Sequence, residues 1–415
     1  MVDRGRWNHP PQRVFPAGAR AMTPEGNGHV TDTNILSLLE PAALLDPHPI
    51  YRRWKEQSTV LWDSDIEAWL VTGYDEAFTA LRDIENFCQD WRRIGVDTPP
   101  SLLSLQTLDP PDHTRIRHLM LEGFKAADPQ ILERTVQDTL DELLAAVEGE
   151  KTFDFVAKVA EPLTLRAVTQ LLGVPEPDKD WFVPLSNTIV DGMDSSLRPE
   201  CYEPGVEARA KLTELAGEWL KSPLPDGFAA HVVKRAPSAG VDHEVLLNSL
   251  RVVLQAGFQT ASRFLVTGLL TLLRIPSENR VPVDTDQAVN ELVRFAGPVH
   301  VESRACVQDT VLGEQKIRKG EIVSMFLGAA NRDARVFEDP ESLRWDRTPN
   351  RHLGFGRGPH ACLGAQVAVQ VARSTFGTIG RRYPNARLVS EPVPRPNVTE
   401  HGMHSLQISF RDDLP

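Results

Sequence analysis

The stretch Phe355-Gly356-Arg357-Gly358-Pro359-His360-Ala361-Cys362-Leu363-Gly364 sets one cysteine in a glycine-crowded loop, directly ahead of an apolar run that reads as a helix over 363–382. Gly356, Gly358 and Gly364 are expected where φ is positive or where backbone closes on a flat ligand. Pro359 removes an amide donor and stiffens the loop. Free amides at a helix start, with the dipole behind them, favour a thiolate. Such a thiolate has three uses: a nucleophile, a zinc ligand or the axial ligand of a haem iron. His352 and His360 are near in sequence, but no third and fourth ligand stands at zinc spacing.

Outward from the loop, the longest periodic stretch opens at Asp242 and runs to Arg274, ahead of Pro276. As a helix it spans about 50 Å, and apolar residues all round it predict burial. Ala256-Gly257-Phe258-Gln259-Thr260 interrupts its middle. A mid-helix glycine costs about 1 kcal/mol relative to alanine, and Thr260 can bond back to a carbonyl. Either a ligand or a helix crossing lies against this point.

Asp284, with Gln287 at the capping-box position, opens a further helix on which Glu291 and Arg294 pair three residues apart, and Gly297-Pro298 ends it. Strands follow at 299–304, 310–312, 316–317 and 322–326, then a meander over 328–350.

Towards the N-terminus, a helix over 49–57, a hairpin of 60–62 with 68–72, and a helix over 74–81 precede an irregular apolar segment, 85–109. That segment carries Phe87, Trp91, Leu103 and Leu105, and apolar loops of such length tend to be functional. Asp109-Pro110-Pro111-Asp112-His113 reads as a helix start with Asp109 as cap. His113 and Arg117 share a face, which either binds carboxylates or is solvated. Helices at 128–148, 155–173, 177–194 and 206–221 follow, with a break at 195–205 suited to a flap. Residues 1–33 read as a loose tail and 34–415 as one mostly helical domain with small β-sheets.

The 57 acidic and 45 basic side chains give a net charge of −12, which argues against nucleic acid as a general partner. Cys88, Cys201, Cys306 and Cys362 form no Cys-x-x-Cys pair, so a reducing compartment fits. With no signal-peptide pattern and no uncharged apolar run near ~18 residues, a cytoplasmic protein without a membrane partner is expected. The sequon Asn397-Val398-Thr399 has no role there.

With these motifs in order, the chain resembles the cytochrome P-450 family, haem-thiolate monooxygenases of the soluble bacterial type, from about residue 46 to the end. The family's Phe-x-x-Gly-x-x-x-Cys-x-Gly loop is matched by Phe355, Gly358, Cys362 and Gly364. Its Glu-x-x-Arg pair is matched by Glu291 and Arg294, the meander arginine by Arg347, and the long-helix motif by Ala256, Gly257 and Thr260. The resemblance implies a haem b between the long helix and the cysteine-loop helix, with Cys362 as proximal iron ligand. His113, Arg117, Arg304 and His360 become expected propionate partners, with Phe355, Gly356 and Gly364 around the haem.

It also implies that Glu291, Arg294 and Arg347 form a structural triad, and that Thr260, with Gln259, Gly257 and Ala256, lines the oxygen side. Phe87, Trp91, Leu103, Leu105, Val299, Val301 and Met403 border the implied substrate pocket. Electrons would come from NAD(P)H through a ferredoxin reductase and a ferredoxin, which Arg115, His118 and Arg357 could dock. The expected activity is oxidation of a small organic molecule in bacterial secondary metabolism.

One residue departs from the pattern. Gln259 stands where the family carries an acid, and an amide cannot titrate. Proton delivery would then pass through water or substrate. Alternatively the outcome is radical C–C or C–N coupling of aromatic substrates, such as tryptophan-containing cyclic dipeptides. A haem-binding sensor without turnover is the reading from another class.

Overall fold

The computed structural model describes residues 33–221 and 227–411, so nearly all of the stretch read as a loose tail lies outside the described residues. The α-helices are α1 (Pro41–Leu45), α2 (His48–Gln57), α3 (Tyr74–Arg82), α4 (Asp112–Ala126), α5 (Pro129–Val147), α6 (Glu161–Leu172) and α7 (Lys179–Asp191). After these come α8 (Tyr202–Trp219), α9 (Phe228–Arg235), α10 (His243–Leu273), α11 (Asp286–Ala296), α12 (Leu327–Ala330) and α13 (Ala365–Arg382). Among the described residues no helix is long and apolar enough to cross a membrane.

Helix α10 is the axis of the packing. Asp242 caps it by accepting from the amides of Glu244 and Val245. Its 31 residues give a length of roughly 46 Å. At Gly268 it crosses α13 and α11 so closely that a Cβ there would stand 2.6 Å from the Phe376 ring and 3.1 Å from Leu292. The apolar core continues from this crossing through Phe264, Leu269 and Val289 to α5 and α6.

The main sheet has the order β1-β2-β8-β5-β3, from Val60–Asp63, Ala68–Val71, Ile322–Phe326, Val301–Cys306 and Phe87–Cys88 respectively. Its β2–β8 pair is parallel and its other pairs are antiparallel. Three smaller sheets complete the set: β4 (Phe153–Asp154) with β12 (Gln407–Ser409) and β9 (Arg387–Leu388); β6 (Thr310–Leu312) with β7 (Gln315–Ile317); and β10 (Val393–Pro394) with β11 (Met403–Ser405).

Two expected caps are corrected. Asp109 does not open α4, which begins at Asp112 with both prolines before it. The Asp109 carboxylate instead accepts from the amides of Gln89 and Asp90 and from Arg93 Nη1 at 3.0 Å, fastening the 87–93 segment. Helix α11 is capped by Thr285, which accepts from the Ala288 amide at 3.2 Å, while Asp284 pairs with Arg381. The helix expected over 155–173 begins as a π-helical turn, Val156–Ala160, before α6.

Candidate functional site

The cysteine loop is closed by its own backbone: the Cys362 amide donates to the Phe355 carbonyl at 2.8 Å and the Gly356 amide to the Leu353 carbonyl at 2.8 Å. Gly356 and Gly358 do take positive φ, 63° and 75°. At Gly358 a Cβ would also stand 2.6 Å from the Leu81 carbonyl oxygen, so α3 fixes this glycine twice over. Gly364 does not take positive φ: its φ is −91°, and a Cβ there would meet no protein atom within 4 Å, so of the two expected uses of glycine only open space beside the backbone applies here.

Beneath the loop, three buried residues hold the meander. Arg294 donates from Nε and Nη2 to the two Glu291 oxygens at 2.9 and 2.8 Å, and Arg347 Nε reaches both at 3.0–3.1 Å. The Arg344 amide and Asn350 Nδ2 add donors to the same carboxylate. Arg294 spends its remaining hydrogens on the carbonyls of Asn331, Pro340 and Ser342. Asn331 Oδ1 in turn accepts from the Leu353 amide at 2.6 Å, which carries the ordering into the cysteine loop. Burial pushes the Glu291 carboxyl up, but the bonds from Arg294, the Arg344 amide and Arg347 hold it below the usual carboxylate range.

Cys362 opens onto accessible space, yet the chain packed around it desolvates the sulfur and pushes the thiol above its ordinary value. The Gly364 amide and the Arg117 charge oppose this without reversing it, so the expected thiolate bias of the loop amides is outweighed by burial. That condition does not suit a free nucleophile at neutral pH. Among the described residues no three His, Cys, Asp or Glu side chains gather as a metal site.

Helix α4 brings donors to the same side. The His113 ring lies 4.1 Å from the His360 ring, centroid to centroid and tilted by 40°, and His360 Nε2 lies 3.4 Å from Asp109 Oδ1. His113 Nε2 is buried with no hydrogen-bond partner among the described residues. Burial, then His360 and Arg117, push this histidine down to about 3, so it is a neutral donor. Arg117 makes no ion pair among the described residues; burial pushes it below its ordinary value, and the Cys362 sulfur opposes this. Unmatched donors beside a sulfur ligand fit a flat cofactor that carries carboxylates. Arg304 is different. Its Nη1 already donates to Glu302 Oε2 at 3.1 Å and to the Ser303 carbonyl, as strand neighbours two apart on one face allow.

On α10, Val253, Ala256, Gly257, Thr260 and Ala261 form a partly accessible stripe at helical spacing in the otherwise buried middle of the helix, 248–270. Thr260 Oγ1 donates to the Ala256 carbonyl at 2.7 Å. Gly257 marks a helix crossing: a Cβ there would stand 2.7 Å from Val168 of α6. Gly257→Val is therefore expected to cost about 1–3 kcal/mol through overpacking, read as a lowered thermal midpoint, with Val168→Ala restoring much of the loss in the double variant.

Gln259 points away from the stripe. Its Nε2 donates to Asn187 Oδ1 of α7 at 2.9 Å, and its Oε1 accepts from Arg263 Nε at 3.3 Å. Arg263 continues to Asn397 and the Glu400 carbonyl, and Asn397 Nδ2 to Asp191 at 2.9 Å. Sequence reading missed Asn187, Arg263, Asn397 and Glu400, because these partners are far apart in the chain and carry no local pattern.

Around the stripe, Asn248 Nδ2 donates to the carbonyls of Pro100 and Leu103, and the Leu105 amide donates to Ser249 Oγ at 2.9 Å. The 100–105 segment is thus pinned to α10. Val299 bridges to Glu400, and Val301 and Trp91 pack at the edge of the α2 cluster. Phe87, Leu105 and Met403, expected at the pocket, are all buried: Phe87 in β3 against Cys306, Leu105 in the cluster beside α10, and Met403 in β11.

Comparison with known proteins agrees with this geometry. A family model described as Cytochrome P450 matches residues 279–384, which hold the triad's Glu291, Arg294 and Arg347 and the cysteine loop. Cytochrome P450 CYP107DY1 of Priestia megaterium is 31% identical over 371 residues, covering 83% of this chain and 90% of that protein. The polyketide biosynthesis cytochrome P450 PksS of Bacillus subtilis is 28% identical, over 88% of this chain and 96% of its own. The crystal structure of CYP109E1 from Bacillus megaterium in complex with testosterone superposes with a TM-score of 0.81 at 26% identity, over 90% of this chain and all of the other. By fold, cysteine loop and full-length likeness, the chain belongs to the cytochrome P450 family and is a monooxygenase-type oxidoreductase.

Proposed function

We propose that Cys362 holds the iron of a haem b through its sulfur, with His113, Arg117 and His360 receiving the propionates and the Thr260 stripe of α10 facing the oxygen side. The observation that carries this reading is the pair of unmatched donors, His113 Nε2 and Arg117, on the side of the Cys362 sulfur. A haem bound there supplies the activation of dioxygen, and a thiolate ligand favours O–O cleavage. The chain supplies position: the triad orders the meander, the meander fixes the loop, and the loop aims the sulfur. Thr260 offers a hydroxyl whose proton is parked on the Ala256 carbonyl until an oxygen acceptor competes for it.

The substrate is a small organic molecule of bacterial secondary metabolism, a reading supported by the likeness to a relative named for polyketide biosynthesis. Electrons come from NAD(P)H through a ferredoxin system, with Arg115 and His118, exposed on α4, as the contact. The test is the reduced carbon monoxide spectrum. A red-shifted Soret band is expected, and its absence overturns the assignment of Cys362.

Gln259 favours a modified proton route, since both ends of its amide are tied and neither titrates. Gln259→Glu is expected to change the ratio of product formed to electrons consumed, and to add the pH dependence of a new acid beside Arg263. Unaltered coupling and an unaltered pH profile would show that Gln259 is neutral to the reaction. Isotope labelling with heavy dioxygen separates oxygen insertion from radical coupling of aromatic substrates.

A further inference from the structure

A second group of donors in this fold lacks any acceptor. Arg251 on α10 is 4% exposed, and its Nε has no hydrogen-bond partner among the described residues. One turn on, Gln255 is equally buried and its Nε2 is likewise unpartnered. Opposite them, Arg209 on α8 is half-buried and makes no ion pair or hydrogen bond among the described residues.

The helix register brings these residues together. Thr213 Oγ1 of α8 donates to Asn248 Oδ1 of α10 at 3.2 Å. Arg209 lies one turn from that bond on α8 and Arg251 one turn from it on α10. Burial pushes Arg251 down to about 10, and Arg209 adds to the depression. Arg209 Nη2 lies 3.8 Å from where a Gly192 Cβ would stand, near the C-terminal end of α7, where the helix dipole favours a cation. Arg251 has no such support.

This departs from how the chain treats its other buried arginines. Arg294, Arg347 and Arg304 each pair with a carboxylate, and Arg263 has Glu400 at 3.8 Å. A buried charge without a partner destabilises the fold, and guanidinium forks match carboxylate geometry. Arg251 and Gln255 share the face of α10 that carries Phe258 and Gln259, covered by Phe182 and Asn187 of α7. Thr260 stands nine positions on, on another face, about 13 Å along the axis.

We propose that the junction of α7, α8 and α10 binds a carboxylate, gripped by Arg251 and Arg209 with Gln255 as third donor. The acid is either the carboxylate of the oxidised substrate, which then needs a spacer to reach the Thr260 stripe, or a free small acid bound beside it. The substrate form of the proposal rests on the haem-thiolate reading above; the anion site itself does not.

The test titrates the haem-loaded protein, at constant ionic strength, with straight-chain monocarboxylic acids of increasing length and with their primary amides. Thermal midpoint and haem absorption are both recorded. Acids are expected to raise the midpoint in a saturable way, and amides to leave it unchanged. Arg251→Gln and Arg209→Gln should each weaken acid binding at least tenfold, while Arg251→Gln raises the midpoint of the acid-free protein. Arg251→Lys keeps the charge and loses the fork, so it should fold as wild type and still bind acids more weakly.

Acids that shift the spin state with the same affinity identify the acid as the substrate's own, and stabilisation without spectral change identifies a separate acid; both support the site. Equal stabilisation by acids and amides, or an undiminished acid response in all three variants, overturns it. The carbon monoxide spectrum of the same samples reports separately on Cys362.

Discussion

Glu291→Gln is expected to destabilise the protein by about 3–5 kcal/mol. The change preserves volume and removes one charge, so no cavity term enters. What remains are Arg294 and Arg347, both buried and both aimed at the missing carboxylate. Their desolvation was offset by that one group, and no second acid stands within reach of both among the described residues. The loss has a pH signature. Glu291 is held below its ordinary value in the fold, so its contribution is fully present above the unfolded carboxyl's value of about 4.3. It is lost as pH falls through the lower folded value. The wild type should therefore lose this part of its stability in acid, and Glu291→Gln should lack that limb. Urea unfolding of both proteins across this pH range measures it.

The control is Glu142→Gln, which removes an exposed pair with Arg166 at 2.9 Å and should cost no more than about 1 kcal/mol. A similar cost at both positions would remove the triad from the structural argument. Because the meander hands its order to the loop through Asn331 and Leu353, weakened haem retention should accompany the lost stability.

The elements of this fold were legible where their cause is local. Asp242 caps the long helix because its carboxylate meets amides two and three residues on, and Glu291 meets Arg294 because helical neighbours three apart touch. Reading failed where a local candidate was outbid from a distance. Asp109 looked like a cap, but amides about twenty residues upstream claim it. Asp284 looked like a cap, but Arg381 draws it outward and Thr285 caps instead.

The site divides in the same way. The cysteine loop, the triad and Thr260 carry motif spacing, so sequence found them. Arg304 rests on resemblance alone, and its Nη1 pairs with its strand neighbour Glu302. Gln259 was visible as a departure, but its two anchors were not. Asn187 lies 72 residues away, and Arg263 owes its position to partners more than 130 residues on. Polar networks of this reach follow from packing of α7 and the C-terminal loop on α10, which no periodicity records. Phe87 and Met403 are buried for a reason sequence cannot register: an apolar residue in an irregular stretch looks the same whether it lines a cavity or closes a core.

Cys362→Ser is expected to lower oxidation by more than about 10²-fold, or ~2.7 kcal/mol of barrier, while leaving the folded chain intact. What the residue does for the fold is separate from what its sulfur does for chemistry. For the fold, Cys362 contributes a backbone amide to the Phe355 carbonyl, and serine keeps that bond. The Gly364 amide that faces the sulfur can donate to a serine hydroxyl instead, so the haem-free protein should change in stability by no more than about 0.5 kcal/mol. For chemistry, the hydroxyl is a far weaker donor to iron, and the electronic push of an anionic sulfur is gone. The reduced carbon monoxide band should move away from its thiolate position, and substrate oxidation should fall with it. Arg117 gives an independent readout. It makes no ion pair among the described residues, and its proposed grip on a propionate does not pass through the sulfur, so any haem that Cys362→Ser still takes up should remain sensitive to Arg117→Gln. Retention of the thiolate band in Cys362→Ser would move the axial ligand to another residue and overturn the assignment of Cys362.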